Sequence, residues 1–346
     1  IMKLIIFGGG FCGAIIAKKL DKGQDVDVIL IDEKSYYEYT PSIHKLISDR
    51  EYLDKITVPF EKIVKKGRVV VDQLTNLTDQ YVETINEKIT YDYLIISTGI
   101  KYPIFLDNQE NVFTLKSCIS AIQINQKIVN AKQVLIIGGG LIGTEIAGEL
   151  VTKMKDKHVT IVHSKERLIE RNPTKASSYA QKFLERKGAK IIFNEKIVRH
   201  EGRIFISNKG NKIEADLAIW CAGIRWSPDY LNGFDPQIFT NKGALKVNDH
   251  LQLHGFENVF VGGDVCSVSE EKTAQNARIH GSFIVKNIRK LMTNKRKISY
   301  KPKKRIMVIS LGAWSGILIY GKIVFTGIVP GILKYVVQWM TMRRYK

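Results

Sequence analysis

The chain has 346 residues, with 53 Lys or Arg against 34 Asp or Glu, which gives a formal net charge of +19. At roughly 150 residues per domain, this length predicts about two domains. Hydrophobic residues make up 45% and charged residues 25%, so the chain is not a disordered one. The basic excess indicates an anionic partner surface, such as nucleic acid, acidic lipid or a phosphorylated ligand.

The cysteines exclude two further classes of protein. Cys12, Cys118, Cys221 and Cys266 are too few and too scattered for a secreted disulfide framework or a zinc site. The apolar run at the N-terminus stops after five residues, which is too short for a signal peptide. We therefore expect a reducing compartment and no metal.

The first motif is a glycine-rich turn near the N-terminus. The run KLIIF (3–7) predicts a buried parallel strand, and Gly8, Gly10 and Gly13 follow it with GxGxxG spacing before a helical pattern. In this fingerprint the glycines permit a tight turn, close approach of a pyrophosphate, and helix–strand packing. The next predicted strand ends at Asp32, whose carboxylate can accept both ribose hydroxyls of an adenosine. The pattern predicts dinucleotide binding; a glycine-rich turn without a ligand is the alternative.

The same pattern occurs a second time. The run QVLII (133–137) leads into Gly138, Gly140 and Gly143, and the following strand ends at His163. Two dinucleotide-binding units in one chain predict two nucleotides that face each other, a flavin on the first unit and a nicotinamide cofactor on the second. Hydride transfer between them needs the reacting atoms about 3–3.5 Å apart, which two docked units can provide.

The second fingerprint lacks an acid at the ribose position. NAD-specific sites usually have that carboxylate, whereas a nearby cation accommodates the 2′-phosphate of NADP. Lys165 and Arg167 follow His163 and could take this role, or they could be solvated loop charges. The sequence leaves open whether NADH or NADPH is the preferred electron donor.

Three further segments occur in a set order. They are YDYLIISTG (91–99), ADLAIWCAG (215–223) and NVFVGGDV (258–265), each a predicted strand that ends in a glycine turn. In this order, behind their fingerprints, they resemble the flavoprotein oxidoreductases with two dinucleotide-binding domains. The resemblance implies that Asp264 binds the flavin ribityl chain.

The resemblance, together with the two fingerprints, assigns a set of contacts to each cofactor. For FAD these are Gly8, Gly10, Phe11, Cys12, Gly13, Asp32, Val70, Thr98, Gly99, Gly263 and Asp264. For NADH or NADPH they are Gly138, Gly140, Gly143, Glu145, His163 and Gly223. Val70 enters through a loose alignment, as a backbone contact to the adenine.

Within this superfamily the chain most resembles the type II NADH dehydrogenase branch, which includes apoptosis-inducing-factor-like quinone reductases. IGTEIAGEL (142–150) is similar to the helix that brings a glutamate, here Glu145, near the nicotinamide. AQNARIHG (274–281) is similar to the quinone-side helix, so Gln275 is expected beside the flavin. Ile279 and His280 stand where that branch has glutamines, and His280 could supply protons to a quinone or simply face the helix packing.

Disulfide reductases of the superfamily carry a cysteine pair beside the flavin. The corresponding stretch here, EKSYYEYTPSIHKL (33–46), has no cysteine, and the chain has no CxxC. Disulfide exchange needs two thiols within reach, so that activity is disfavoured. Sulfide–quinone reductases also use cysteines near the flavin; Cys118 and Cys266 are candidates for that role or are buried inert thiols.

The C-terminal part combines charge with apolar character. Residues 295–305 carry seven cations, and 306–333 are apolar except for Lys322. We expect strands first and then an amphipathic helix over 328–342, closed by Arg343, Arg344 and Lys346, which suits a membrane interface. Packing on the protein core or in a homodimer is the alternative. Nucleic-acid binding is disfavoured, because the basic excess is spread and no binding motif occurs.

These observations predict an α/β protein with two Rossmann-like dinucleotide-binding domains. The FAD domain takes 1–116 and 240–305, the NAD(P)H domain 117–239, and a membrane-associating segment 306–346. The expected function is an FAD-dependent, non-proton-pumping NAD(P)H:quinone oxidoreductase, peripheral on the cytoplasmic side of a membrane. The alternatives are a soluble reductase of ferredoxin or rubredoxin and a flavin-bound redox signalling protein.

Overall fold

The computed structural model describes residues 1–226, 231, 234–302 and 306–346. The strands, in chain order, are β1 (Met2–Phe7), β2 (Val26–Asp32), β3 (Tyr36–Glu38), β4 (Thr57–Pro59), β5 (Arg68–Val71), β6 (Leu74–Leu77), β7 (Tyr81–Thr84), β8 (Lys88–Thr90), β9 (Tyr93–Ile96), β10 (Val112–Thr114), β11 (Gln133–Ile137), β12 (His158–His163), β13 (Lys190–Phe193), β14 (Ile197–Glu201), β15 (Ile204–Ser207), β16 (Lys212–Glu214), β17 (Leu217–Trp220), β18 (Val259–Val261), β19 (Ile306–Leu311), β20 (Ser315–Tyr320) and β21 (Ile323–Gly327). The α-helices are α1 (Phe11–Leu20), α2 (Leu53–Ile56), α3 (Phe60–Ile63), α4 (Cys118–Ile128), α5 (Leu141–Lys153), α6 (Thr174–Arg186), α7 (Ala274–Met292) and α8 (Ile328–Met342), and 3₁₀ turns occur at Thr40–Ile47, Arg50–Tyr52 and Pro236–Ile238.

The first sheet is parallel, with strand order β18-β9-β1-β2-β5. Its central strand β1 is apolar and buried along most of its length, as a strand covered on both faces must be. Phe7 lies opposite Ile31 of β2 and Ile96 of β9, so the three strands end at one edge of the sheet. Ligands of such sheets bind at the carboxyl edge, where the order of strands reverses.

The second sheet repeats this plan. Its order is β10-β17-β11-β12-β13, again parallel, and Ile137 of the central strand lies opposite Val162 and Trp220. All of its strands fall between β9 and β18 in the chain, which is the order expected for an interrupted first domain. The domain boundaries themselves stay a prediction.

The C-terminal segment is folded against both units. Strands β19, β20 and β21 form an antiparallel sheet, and α8 packs on β19 and β20. Strand β19 also contacts α5, and α8 contacts α2. The strands and the helix predicted over 306–342 are therefore present, with the predicted helix bounds. The basic run predicted over 295–305 lies partly outside the described residues, because they omit 303–305.

No helix in the described part of the chain is long and apolar enough to cross a membrane.

Candidate functional site

The two glycine fingerprints have the same geometry. Gly8 and Gly138 have φ of +97° and +112°, a conformation that a residue with a side chain rarely adopts. A Cβ on Gly13 would collide with the carbonyl oxygen of Gly8, and one on Gly143 would collide with that of Gly138. These collisions explain why the first and third glycines of each fingerprint are needed for the turn and for helix–strand packing.

The helix that follows each fingerprint begins with unpaired N–H groups. Gly10 and Gly140 are the N-caps of α1 and α5, and neither helix has a side-chain cap or an acid in its first turn. A Cβ added to either glycine would meet no atom within 4 Å, so both N-termini open onto free space. Free N–H groups and the positive end of a helix dipole bind phosphate, so both helices fit a dinucleotide pyrophosphate.

The residues at the ends of the second strands also correspond. Oδ2 of Asp32 accepts a hydrogen bond from the N–H of Gly9 at 2.7 Å. In the second unit, Nδ1 of His163 accepts from the N–H of Gly139 at 3.1 Å. His163 therefore occupies in the second unit the position that Asp32 occupies in the first, and binding of a ribose at either position stays a prediction.

A cavity of about 710 Å³ joins the first fingerprint to α5, α7 and α8. Predicted FAD residues that line it are Gly8, Gly10, Phe11, Cys12, Asp32, Thr98, Gly99, Gly263 and Asp264. The two predicted catalytic residues, Glu145 and Gln275, line it as well. The α8 end is lined by Leu333, Lys334, Val337 and Thr341, together with Ile306 to Ile309 of β19.

The remaining predicted residues are not among those that line this cavity. Gly13, Gly138, Gly140, Gly143, His163 and Gly223 belong to the glycine turns and strand ends described above or to the turn after β17. Val70 is buried in β5 beside Ile31, with its side chain in the hydrophobic core. Its expected backbone contact to an adenine stays a prediction.

Glu145 is the centre of a largely buried polar network. Its Oε1 accepts hydrogen bonds from the N–H and the Oγ of Ser310, both at 2.9 Å, and from Nζ of Lys334 at 2.8 Å. Burial alone would raise the pKa of Glu145, but the Lys334 ammonium and the hydrogen bonds hold it below its ordinary value. Glu145 is thus a stable carboxylate on the wall of the cavity.

His44 completes this network from the opposite side. Its Nε2 lies 3.2 Å from the Ser310 hydroxyl, and burial lowers the pKa of His44 to about 4. Because the Ser310 hydroxyl donates to Glu145, it can accept a hydrogen bond from Nε2 of a neutral His44. Sequence reasoning missed His44, Ser310 and Lys334; the signal for Lys334 was a lysine within an apolar helical run.

A second polar group adjoins this network and includes Gln338, one turn after Lys334 in α8. Nζ of Lys45 lies 3.1 Å from the Tyr52 hydroxyl, which in turn donates to Oε1 of Gln338 at 2.9 Å. The Lys45 ammonium also lies 3.5 Å from the ring centroid of Tyr335, and burial lowers the pKa of Lys45 to about 8. These contacts hold the polar face of α8 against the protein.

Gln275 and Asp264 line the cavity from α7 and from the turn after β18. Gln275 is exposed in the first turn of α7, whose N-cap Thr273 accepts a hydrogen bond from the N–H of Asn276. Burial raises the pKa of Asp264, against the opposing effect of the nearby Lys272 ammonium. Both side chains can reach a ligand in the cavity.

His280 is buried and lies outside this lining. Its Nδ1 accepts from the N–H of Gly263 at 3.1 Å, and its Nε2 lies 2.7 Å from Oε1 of Glu270. His280 therefore holds the glycine turn that carries Asp264 and faces the packing of α7, which is the second of the two predicted roles.

The four cysteines are free, and most of them are buried. Cys12, Cys118 and Cys266 are buried, Cys221 is half-buried, and all four are free. Burial raises the pKa of the Cys12 and Cys118 thiols well above the ordinary value and that of Cys221 to about 12. Such thiols are poor nucleophiles at neutral pH.

The chain is similar in sequence to known proteins of the predicted branch. Apoptosis-inducing factor homolog B of Dictyostelium discoideum is 28% identical over 91% of this chain and 88% of that protein. Human ferroptosis suppressor protein 1 is 27% identical over 91% of this chain and 88% of its own length. These relatives confirm the predicted resemblance to the apoptosis-inducing-factor-like branch.

Two solved structures share the fold. NDH2 from Plasmodium falciparum in complex with NADH superimposes with a TM-score of 0.88 at 17% identity, over 97% of this chain and 94% of that one. The sulfide:quinone oxidoreductase of Aquifex aeolicus gives 0.87 at 18% identity, over 100% and 91%. The family model for pyridine nucleotide-disulphide oxidoreductases matches residues 2–281, well over half of the chain. The protein is therefore an FAD-dependent pyridine nucleotide oxidoreductase and belongs to the pyridine nucleotide-disulphide oxidoreductase family.

Proposed function

We propose that the protein is a non-proton-pumping NAD(P)H:quinone oxidoreductase that works at a membrane surface. The observation that carries this proposal is the continuous cavity between the first fingerprint and α8. One end has the glycine turn and Asp32 for a dinucleotide, and the other has the apolar side chains of Leu333 and Val337 for a lipid-soluble acceptor. The relatives on this fold include a quinone reductase and an NADH-bound enzyme.

When bound at the first fingerprint, FAD would supply two-electron redox chemistry between a pyridine nucleotide and a quinone. The chain's own residues bind and orient the reactants. The N-termini of α1 and α5 hold the two pyrophosphates, and Asp32 holds the flavin-side ribose. Asp264 binds the ribityl chain, Glu145 orients the nicotinamide, and Gln275 contacts the quinone at the flavin.

The orientation of α8 supports attachment to a membrane. Lys334, Gln338 and Thr341 form a polar stripe that is buried against the protein. The opposite side is an exposed apolar face, made of Ile328, Val329, Ile332, Val336, Trp339 and Met340 on α8 with Ile323 and Phe325 on β21. A helix with its polar side inward and its apolar side in solvent suits the acyl region of a bilayer.

Cations surround the end of α8. The basic cluster consists of Lys18, Lys19, Lys286, Arg289, Arg343, Arg344 and Lys346. Among the residues that the structure describes, none of these side chains forms an ion pair with a carboxylate. Such a cluster attracts anionic headgroups, which are concentrated in the cytoplasmic leaflet, so we assign the protein to that side.

The experiment compares two acceptors in the presence of vesicles. In vesicles with anionic lipid and a long-tailed quinone, Val329→Glu, at a position 75% exposed, should lower NADH oxidation about tenfold by weakening membrane binding. Oxidation with a soluble short-chain quinone should be unchanged. Val198→Glu, at a position 51% exposed on β14, is the matched control and should change neither rate.

Other outcomes would point to the other functions. Full activity of Val329→Glu with the vesicle quinone, together with dimers that this variant breaks, would assign the apolar face to a second copy of the chain. Turnover with ferredoxin or rubredoxin and none with any quinone would indicate a soluble reductase. A bound flavin that no acceptor reoxidises would indicate a signalling protein.

A further inference from the structure

The side chain at the second ribose position has a fixed tautomer. Because Nδ1 of His163 accepts the N–H of Gly139, that nitrogen is unprotonated and the ring proton lies on Nε2. Nε2 lies 3.4 Å from Oε2 of Glu170, a side chain that is 30% exposed. A carboxylate seven positions later in the chain therefore lies beside His163.

The ribose loop (164–173) is held in one conformation. Ile169, a buried β-branched residue, has φ of +43°, an unfavourable value for such a side chain. Its N–H donates to the carbonyl of Gly139 at 2.8 Å, which ties the loop to the second fingerprint. This contact explains how an unfavourable backbone angle persists, and it turns the next residue, Glu170, toward His163.

The guanidinium of Arg167, one of the two cations in this loop that the sequence offers for a 2′-phosphate, is hydrogen-bonded within the protein. The guanidinium of Arg167 donates to the carbonyl of Asn172 and to Oγ of Ser177, both at 2.8 Å. It also donates to the carbonyl of Glu170. With its hydrogen bonds directed into the loop, Arg167 is a structural residue and is not directed toward a 2′-phosphate.

We propose that Glu170 accepts the ribose hydroxyls of the adenosine at the second fingerprint and repels a 2′-phosphate, so that NADH is the preferred donor. The inference rests on the proposed function, because it needs a pyridine nucleotide at this fingerprint.

Lys165 is the rival determinant. It is exposed in the same loop, and its ammonium forms no ion pair within the described ranges. If Lys165 recognised a 2′-phosphate, NADPH would be preferred. A determining role for Glu170 predicts a preference for NADH, whereas one for Lys165 predicts a preference for NADPH. A variant of each residue therefore distinguishes the two roles.

The test uses the FAD-loaded protein and two probes, ADP-ribose and its 2′-phosphorylated form, with affinities measured by calorimetry. The unmodified protein should bind ADP-ribose at least about tenfold more tightly. Glu170→Gln should reduce this ratio about tenfold, chiefly by strengthening binding of the phosphorylated probe. Lys165→Gln is the matched control and should leave ADP-ribose as the preferred probe. The ratio of kcat/KM for flavin reduction by NADH and NADPH should follow the same order.

Three results would overturn the inference. One is tighter binding of the phosphorylated probe by the unmodified protein, and another is a ratio that Glu170→Gln leaves unchanged while FAD content is normal. The third is no binding of either probe, which would also remove the second nucleotide site from the proposed function.

Discussion

Nζ of Lys334 lies 2.8 Å from Oε1 of Glu145, and this ion pair joins the C-terminal helix to the helix of the second fingerprint. The lysine is 9% exposed and the glutamate 12%. The exposed apolar face of α8 and the wall of the cavity are therefore connected through one buried contact. The ion pair both anchors α8 and fixes Glu145 in the wall of the cavity.

Removing the lysine should destabilise the protein. Lys334→Met leaves the buried Glu145 carboxylate without its cation, which costs about 3 kcal/mol of unfolding free energy. Urea unfolding of the FAD-loaded protein measures this. Lys322→Met, at an exposed lysine of the same segment, should change stability by less than about 0.5 kcal/mol.

The double variant Glu145→Gln/Lys334→Met gives the control for this mechanism. Without the carboxylate there is no unpaired charge, so stability should return to within about 1 kcal/mol of the unmodified protein. A double variant as unstable as Lys334→Met would mean that the loss comes from packing.

Stability should fall as the pH is lowered, and His44 should contribute to that fall. The pKa of His44 is about 4 in the folded protein and roughly 6.5 in the unfolded chain, so protons bind the unfolded chain preferentially. The contribution of neutral His44 to stability is fully present above pH 6.5 and is lost as the pH falls toward 4. The stability lost by pH 5 amounts to about 2 kcal/mol. Unfolding of His44→Gln at pH 7 and pH 5 should show a correspondingly smaller pH dependence. An unchanged dependence would contradict a buried neutral His44.

Substitutions at the middle glycine of each fingerprint, Gly10 and Gly140, should distinguish the two nucleotide sites. A valine side chain at Gly10 or Gly140 meets no protein atom at its Cβ and points into the space assigned to a pyrophosphate. Gly10→Val should lose bound FAD, measured by its absorbance, whereas Gly140→Val should keep FAD and lose NADH affinity. Both should keep the far-ultraviolet circular dichroism of the fold. Normal FAD content in Gly10→Val would contradict the first assignment.

Gln275 should matter for one half-reaction. Gln275→Leu removes a polar group from the cavity in the first turn of α7, where the account has it contacting the quinone. In stopped-flow experiments, reoxidation by a short-chain quinone should slow about tenfold or more, with flavin reduction by NADH unchanged. Equal slowing of both steps would show that Gln275 shapes the flavin environment instead.

Much of the fold follows from local sequence patterns. Each fingerprint is a strand, a glycine turn and a helix within about 20 residues, so residues such as Gly8 and Gly13 can be assigned from spacing alone. The same holds for α8, where one polar stripe on an apolar run specifies an amphipathic helix. These features depend on neighbours in the chain.

The polar network around Glu145 could not be predicted in this way. His44, Glu145 and Lys334 are far apart in sequence and meet only because β19 and α8 pack over α5. Glu170 was missed for a related reason, since the positive φ of Ile169 that turns it toward His163 has no sequence signature. Contacts set by tertiary packing or by an unusual backbone angle require the structure.

The most direct test of the proposed function is an anaerobic titration of the purified FAD-loaded protein, followed by flavin absorbance. Addition of NADH should bleach the flavin band, and a short-chain quinone added afterwards should restore it. Bleaching without recovery on quinone addition would contradict quinone as the acceptor. The absence of a flavin band, even after FAD is supplied, would contradict the account as a whole.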